Sequence, residues 1–180
     1  MNALVVVANG SESMEAVTII NVLRRGEVAV TVASIESGRE VEGTRGLKLT
    51  ADALWADVAG RDFDLIALPG GEKGAQALSA HAGLVDKLKA QRQAHRWTGA
   101  ICASPALVLS AHGLLDGKKA TCYPSFREQL LHYVDLPVVV DGHCVTGQGP
   151  ASAVAFGLQL VEVLAGAEKR RSVAQGLLAA

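Results

Sequence analysis

Cys102 is the residue of this 180-residue chain that is best placed to do chemistry. It follows the apolar run Trp97–Ile101 and precedes Pro105 and a segment of helical apolar spacing that ends at Gly113. This order predicts a buried strand that turns sharply into a helix, with the cysteine at the corner. Unpaired backbone N–H groups and the positive end of a helix dipole favour a thiolate there. The pattern therefore predicts a reactive thiol with a lowered pKa.

Two further segments are expected to end beside Cys102. The apolar residues 3–8 lead into a loop and Glu15, and residues 64–68 lead into Gly70 and Gly71. Together these groups offer a thiolate nucleophile, a carboxyl that can carry a proton, and bare N–H donors for an oxyanion. Alternatives stay open, because an acidic residue in a first helical turn also suits the helix dipole, and a glycine pair also suits an ordinary turn.

We expect Glu15 to lie against the thiol, where burial and the sulfur charge raise its pKa so that it donates a hydrogen bond to the thiolate. The N–H groups of Gly71 and Ala103 would then form the pair of donors that an attacked carbonyl needs. Gly70 would let a substrate approach the backbone closely.

The elements that must position these groups alternate along the chain. A strand at 3–8, a helix from Met14 to Arg25 and a strand at 28–35 form a βαβ unit, which requires a parallel sheet covered on both faces. Residues 37–57 predict a small excursion from the sheet. The further predicted elements are a strand at 64–68, a loop or short helix through Leu78, a helix at 82–96, the strand before Cys102, a strand at 118–122, a short helix at 124–133, a hairpin at 138–146 and helices at 151–164 and 168–178.

Composition narrows the classes of function. Hydrophobic residues make up 49% of the chain, charged residues 19%, and the net charge is −1, so no nucleic-acid surface is indicated. Three cysteines without a CxxC pair suggest a reducing, cytoplasmic environment. Their separations lack the short spacing of structural zinc sites, so no metal is expected. We also expect no signal peptide and no apolar run of membrane-spanning length.

Four motifs, ALVVVANGSESME, LPGGEKGAQAL, GAICASPALVL and TGQGPA, resemble the ThiJ/PfpI superfamily in order and spacing. Within it, the chain is most similar to the DJ-1 branch, and there to its bacterial YajL-type group. The resemblance covers the whole chain and implies one domain over residues 1–180, a flavodoxin-like three-layer α/β sandwich with a mostly parallel sheet, a homodimer and no cofactor.

The resemblance also implies roles for single residues. Cys102 would be the reactive cysteine, Glu15 its protonated carboxyl partner, and Gly71 with Ala103 the backbone donors. Arg45 matches an arginine that reaches the site of the neighbouring subunit, and Gly70 would line the substrate pocket.

The chain departs from the family pattern in two places that bear on chemistry. Ala103 follows Cys102 where the protease-like branch has histidine, which argues against a peptidase. Tyr123 stands before Pro124 where the human branch has histidine, and it is expected to line the pocket as a hydroxyl donor.

Three hypotheses of function follow. The first is a cofactor-free enzyme acting on α-oxoaldehydes such as methylglyoxal, or on their protein and nucleotide adducts, of the glyoxalase or deglycase type. The second is a redox-sensing chaperone whose cysteine oxidises to sulfinic acid. The third, an amidotransferase-like hydrolase, would need a histidine beside the cysteine, and no histidine falls at a matching position.

Overall fold

The computed structural model describes residues 1–179. Its strands and helices are β1 Asn2–Val7, α1 Ser13–Arg25, β2 Ala29–Ser34, β3 Glu40–Glu42, β4 Lys48–Thr50, β5 Ala53–Leu54, α2 Trp55–Val58, β6 Leu65–Leu68, α3 Glu72–Ala80, α4 Ala82–Gln93, β7 Trp97–Ile101, β8 Val138–Asp141, β9 Cys144–Gly147 and α5 Ala153–Gly176.

Seven strands form the central sheet in the order β5-β2-β1-β6-β7-β9-β8, and only β8 runs antiparallel to its neighbour. The α/β class, the mostly parallel sheet and the flavodoxin-like architecture are thus as predicted. β6, and β1 after Asn2, consist of buried apolar side chains, as expected of strands covered on both faces. Their carboxyl ends and that of β7 meet at one edge, the place where ligands bind in sheets of this kind.

Two groups of helices cover the sheet. α1 packs against α5, and α3 packs against α4 and a short turn formed by Pro105–Ser110. The predicted excursion after β2 is confirmed as the two-stranded antiparallel sheet of β3 and β4. The turn between β3 and β4 lies near the start of α1, where Thr44 N–H donates a hydrogen bond to Ser11 O at 2.8 Å. The excursion therefore borders the loop that leads into Glu15.

Beyond residue 117, three predicted elements differ in the structure. Residues 118–122 form no strand, and only an isolated bridge joins Ala120 to Tyr133. The predicted helix at 124–133 is a 3₁₀-helix over Pro124–Gln129. The two predicted C-terminal helices form one element that is interrupted at Gly166, whose φ of 88° lies outside the helical region.

One helical segment, Pro150–Gly176, is long and apolar enough to cross a membrane by length and composition alone. The expectation that no apolar run reaches that length was therefore wrong. The segment includes the core residues Phe156, Leu160 and Val161, which are buried. A core helix of this kind passes the same test, so the segment is weak evidence for a membrane span.

Candidate active site at the Cys102 corner

Cys102 lies at the corner after β7, as the sequence predicted. Its φ of 63° is in the left-handed region, which costs a non-glycine residue about 1 kcal/mol. Backbone hydrogen bonds hold the corner on both sides: Cys102 N–H donates to Gly147 O at 2.9 Å, and Tyr123 N–H donates to Cys102 O at 2.8 Å. The corner is therefore a fixed feature of the sheet edge.

The segment after the corner is not the α-helix that was predicted. Pro105–Ser110 forms a π-helical turn of 6 residues, and Ala111 N–H bonds to Ala106 O, five residues back. So short a turn carries little of the dipole that the prediction invoked. The support for a sulfur anion comes instead from the backbone N–H groups of Gly71 and Ala103, which both point at the Cys102 thiol and lower its pKa.

Glu15 is the carboxyl of the site and is fully buried, with 0% of its surface exposed. It lies in the first turn of α1, where its backbone N–H donates to Glu12 Oε2 at 2.7 Å. Its Oε2 atom accepts a hydrogen bond from Gly70 N–H at 2.7 Å, whereas Oε1 has no partner. One buried oxygen of Glu15 is thus free to hold a proton or to meet a substrate.

Gly70 brings the carboxyl and the thiol together. A Cβ built on Gly70 would lie 2.5 Å from Cys102 Cβ, 2.7 Å from Glu15 Oε2 and 3.0 Å from Cys102 Sγ. These distances are too short for any side chain, so glycine is required here. The sequence predicted that Gly70 lines the substrate pocket; in the structure its N–H is used by Glu15, and its missing side chain lets Glu15 approach Cys102.

Gly71 is constrained in a different way. Its φ is 82°, and a Cβ would lie 2.2 Å from Gly10 O. The close approach of the two loops aims the Gly71 N–H at the Cys102 thiol. Residues from three strand ends therefore converge at one point, as expected from the sequence.

Burial is the main electrostatic influence on the carboxyl. The pKa of Glu15 is raised to about 7, mainly by burial and also by the charge of Glu12, against the lowering effect of hydrogen bonds from the Gly70 N–H and the Cys102 thiol. The raised pKa agrees in direction with the prediction, and it lets the carboxyl keep its proton far above the usual range.

The thiol departs from the prediction. Burial and the charge of Glu15 raise the pKa of Cys102 to about 12, against the lowering effect of the Gly71 and Ala103 N–H groups. The Glu15 contribution requires an ionised carboxylate, and it vanishes when Glu15 holds a proton. Between these two pKa values the pair holds one proton and one negative charge, and the thiol ionises more readily when Glu15 holds the proton.

Within residues 1–179, the side chains of Arg45 and Tyr123 make no hydrogen bond to the Cys102 thiol. Arg45 is exposed in the turn Thr44–Gly46 and lines an open cleft of about 650 Å³ with Gly10 and Lys73. Tyr123 is bound to Cys102 through the backbone, while its ring packs beside Gly149 and lines a separate groove of about 410 Å³. Their predicted roles in substrate binding stay predictions.

Two residues that support the site were missed from the sequence. Glu12 caps α1 and adds negative charge near Glu15, and the signal for it was an acidic side chain three residues before Glu15. Ser104 is fully buried and donates from Oγ to Pro69 O at 2.5 Å. It joins the Cys102 corner to the glycine loop, a contact that no local pattern announces.

Among residues 1–179 there is no cluster of three or more histidine, cysteine or acidic side chains that could hold a metal ion. The groups at the corner are a thiol, a carboxyl and N–H donors. This set is suited to nucleophilic attack on a carbonyl and to moving protons on the resulting adduct.

The chain is similar to known proteins over most of its length. The DJ-1/PfpI family matches residues 1–163. DJ-1 homologs B and A of Arabidopsis thaliana are each 44% identical over 97% of this chain, which spans only 40% and 46% of their respective lengths. The glutathione-independent glyoxalase DJR-1.2 of Caenorhabditis elegans is 32% identical, with 93% of this chain and 90% of that protein covered.

Among solved structures, oxidized DJ-1 of Toxoplasma gondii superposes with a TM-score of 0.98 at 42% identity, covering 99% of this chain and 98% of that one. The match extends through the Cys102 corner and both helical layers. A particular closeness to YajL-type proteins is not shown by these comparisons and stays a prediction.

Proposed function

Since the chain belongs to the DJ-1/PfpI family and its site combines a thiol, a carboxyl and two N–H donors, we propose that it is a cofactor-free, cysteine-dependent enzyme acting on α-oxoaldehydes such as methylglyoxal. The relative from Caenorhabditis elegans, a glutathione-independent glyoxalase, supports this class of substrate. Adducts of the same aldehydes with proteins or nucleotides are substrates on the same scheme, because they exchange with the free aldehyde.

The observation that carries the proposal is the Glu15 carboxyl. It is completely buried, its pKa is raised to about 7, and its Oε1 atom has no hydrogen-bond partner. A carboxyl that serves only the helix dipole has no need of burial against a thiol. A raised pKa near neutrality is what a group needs in order both to take and to return a proton.

The first step is addition of the Cys102 sulfur to the aldehyde carbon. The electron pair of the C=O bond moves to oxygen, where the N–H groups of Gly71 and Ala103 stabilise the negative charge. The single proton shared by Cys102 and Glu15 then passes to this oxygen, which gives a neutral hemithioacetal and leaves Glu15 ionised. Atoms and charge balance whichever of the two groups held the proton before.

The second step moves a proton between adjacent carbons. The Glu15 carboxylate takes the hydrogen from the carbon that bears sulfur, and the resulting electron pair forms a C=C bond as the neighbouring carbonyl oxygen takes up the hydroxyl proton of the hemithioacetal. Glu15 then returns its proton to the neighbouring carbon, and the C–O bond at the carbon that bears sulfur becomes the carbonyl of a 2-hydroxy thioester. Water then cleaves the C–S bond, which releases a 2-hydroxy acid such as lactate and restores the thiol. The net reaction adds one water and needs no external oxidant or reductant.

The test is conversion of methylglyoxal to lactate by the purified chain without added glutathione. We expect Cys102→Ser to abolish turnover, because the hydroxyl is a far weaker nucleophile under the same conditions. Cys144→Ser is the matched control, since Cys144 is about as buried as Cys102 but lies at the other end of the sheet. Equal activity of Cys102→Ser and the wild-type chain would overturn the proposal.

A second candidate, a redox sensor, rests on the N–H groups that point at the sulfur. The same donors that stabilise an oxyanion can hold the oxygens of a sulfinic acid at Cys102. Peroxide followed by mass analysis tests it: selective gain of two oxygens at Cys102, without methylglyoxal turnover, would favour the sensor over the enzyme.

We also propose that the chain works as a homodimer in a reducing, cytoplasmic compartment. Met14 and Val17 on α1 are exposed, at 63% and 44%, and form an apolar surface near the site. Arg45 is exposed and makes no hydrogen bond to the thiol within residues 1–179 of its own chain, which fits its implied role at the site of a neighbouring subunit. Sedimentation of the wild-type chain and of Val17→Glu tests the dimer, which the charge should dissociate.

A further inference from the structure

A cavity of about 360 Å³ lies at the end of the sheet opposite Cys102. Thr98 and Cys144, which pair at the beginnings of β7 and β9, both line it. None of the residues of the Cys102 corner takes part. Five basic side chains line this cavity, and we call it the basic cavity: Arg92, His95, Arg96, Lys118 and His143.

The charge of the basic cavity is uncompensated. No aspartate or glutamate lines it. Arg96 is paired outside it with Asp62 at 2.7 Å. Across residues 1–179, by contrast, neither Arg92 nor Lys118 takes part in an ion pair with a carboxylate. Two full positive charges therefore line one cavity without a carboxylate partner.

Hydrogen bonds to nearby backbone carbonyls explain the position of Arg92 but not that of Lys118. Arg92 lies in the last turn of α4, and its guanidinium donates to the carbonyls of Gly113 and Asp116. Lys118 comes from a different loop, where its ammonium reaches only the Asp141 carbonyl, at 3.5 Å. The Asp141 carboxylate is occupied by the Lys119 N–H at 2.9 Å.

Gly142 makes room for the lysine. A Cβ on Gly142 would lie 2.6 Å from Lys118 Nζ, so any other residue would displace the ammonium. The absence of a side chain at Gly142 thus leaves space for the Lys118 ammonium at the cavity wall. The apolar part of the wall comes from the buried side chains of Leu88, Leu109 and Leu114.

We propose that the basic cavity is a second binding site, for a small organic phosphate. The two unpaired cations, Arg92 and Lys118, match the two charges of a phosphate monoester. The leucine wall matches an apolar or aromatic group attached to it. The volume suits a ligand of this size and leaves little room for a macromolecule.

Amide NMR of the intact chain with phenyl phosphate as probe tests the site, at about pH 7.5, where the phosphate is mainly dianionic. We expect saturable, one-site shifts at Thr98, His143 and Leu114. Lys118→Met should weaken binding by about tenfold or more, since it removes a charge-assisted contact. Lys119→Met is the matched control, because Lys119 is exposed and lies outside the cavity, and it should change the affinity less than about twofold.

Three comparisons decide the result. Inorganic phosphate, which lacks the apolar group, and benzyl alcohol, which lacks the charge, should each bind more weakly than phenyl phosphate. Absence of saturable shifts up to about 10 mM probe, or equal weakening by Lys118→Met and Lys119→Met, would overturn the site. Cys102→Ala should bind phenyl phosphate like the wild-type chain, so the result is independent of the catalytic proposal.

Discussion

Cys102 and Cys144 lie at opposite ends of the central sheet and expose nearly the same small fraction of their surface, 8% and 7%. Burial raises the pKa of each thiol to about 12. By exposed fraction and by thiol pKa, the two cysteines are almost indistinguishable. Neither property identifies the reactive one.

The groups around the two sulfurs are different. Cys102 has the Glu15 carboxyl within hydrogen-bonding reach and two N–H donors aimed at it. Cys144 has only charges nearby: Lys118 and Arg92 lower its pKa, and Asp141 raises it. A neighbouring cation shifts the titration of a thiol, whereas a carboxyl in contact also provides a place for the proton during the reaction. A proton partner, rather than exposure, is therefore what distinguishes Cys102 from Cys144.

Among the changes that leave both sulfurs in place, the largest effect is expected from Glu15→Gln. It keeps the size and polarity of the side chain but removes the group that carries the proton, so turnover of methylglyoxal should fall by about 10² to 10⁴-fold. Asp86→Asn, the same change at an exposed position on α4, should have no effect. Activity of Glu15→Gln close to wild type would mean that the contrast between the two cysteines does not arise from the carboxyl.

Gly70→Ala tests the geometry of the same contact without touching its chemistry. The added Cβ would meet Cys102 Cβ at 2.5 Å and Glu15 Oε2 at 2.7 Å, so the thiol and the carboxyl must move apart. A displacement of this size should lower kcat by about 10²-fold. Gly38→Ala is the control, since nothing lies within 4 Å of the Cβ position there. Circular dichroism should show that both variants are folded; a folded Gly70→Ala with normal kcat would contradict the geometric account.

Much of this arrangement could be predicted from the sequence, because strand order and corner residues are local signals. Apolar runs located β1, β6 and β7, and each predicted loop carried its chemically active residue to the same edge. The hairpin turning at Asp141 and Gly142 was predicted as well and is confirmed. Such elements are set by residues close in the chain.

The rest depends on contacts that are distant in sequence. The helix predicted after Cys102 is a π-helical turn, since its backbone bonds reach five residues back rather than four. The predicted strand at 118–122 finds no neighbour in the sheet, because β9 occupies the position beside β7. The thiol pKa was predicted in the wrong direction, because burial of Cys102 is a property of the assembled core.

The raised pKa of Glu15 also predicts how stability depends on pH. A carboxyl with a pKa of about 7 in the folded chain, raised from 4.5, favours folding while it is protonated, and this advantage is lost as the pH rises from about 4.5 through 7. The shift corresponds to about 3 kcal/mol. Glu15→Gln, which carries no charge at any pH, should therefore gain stability over the wild-type chain as the pH rises through this window.

Urea unfolding of the two proteins at several pH values measures this difference. Gln in place of Glu should be close to neutral well below pH 4.5, where the carboxyl is protonated in both the folded and the unfolded state, and stabilising near pH 8. Asp86→Asn again serves as the exposed control and should show no such trend. A constant difference between Glu15→Gln and wild type across the range would show that the Glu15 pKa is not raised.

The smallest effect concerns the other cysteine. Lys118 lowers the pKa of Cys144, so Lys118→Met should raise it and slow alkylation of Cys144 several-fold at a fixed alkaline pH, since the thiolate is the reacting form. Alkylation of Cys102 should not change, because Lys118 is not among the groups that shift its pKa. Mass spectrometry resolves the two sites in one sample. Equal slowing at both cysteines would mean that the variant alters the opening of the whole chain. It would contradict the prediction that Lys118 acts on Cys144 alone.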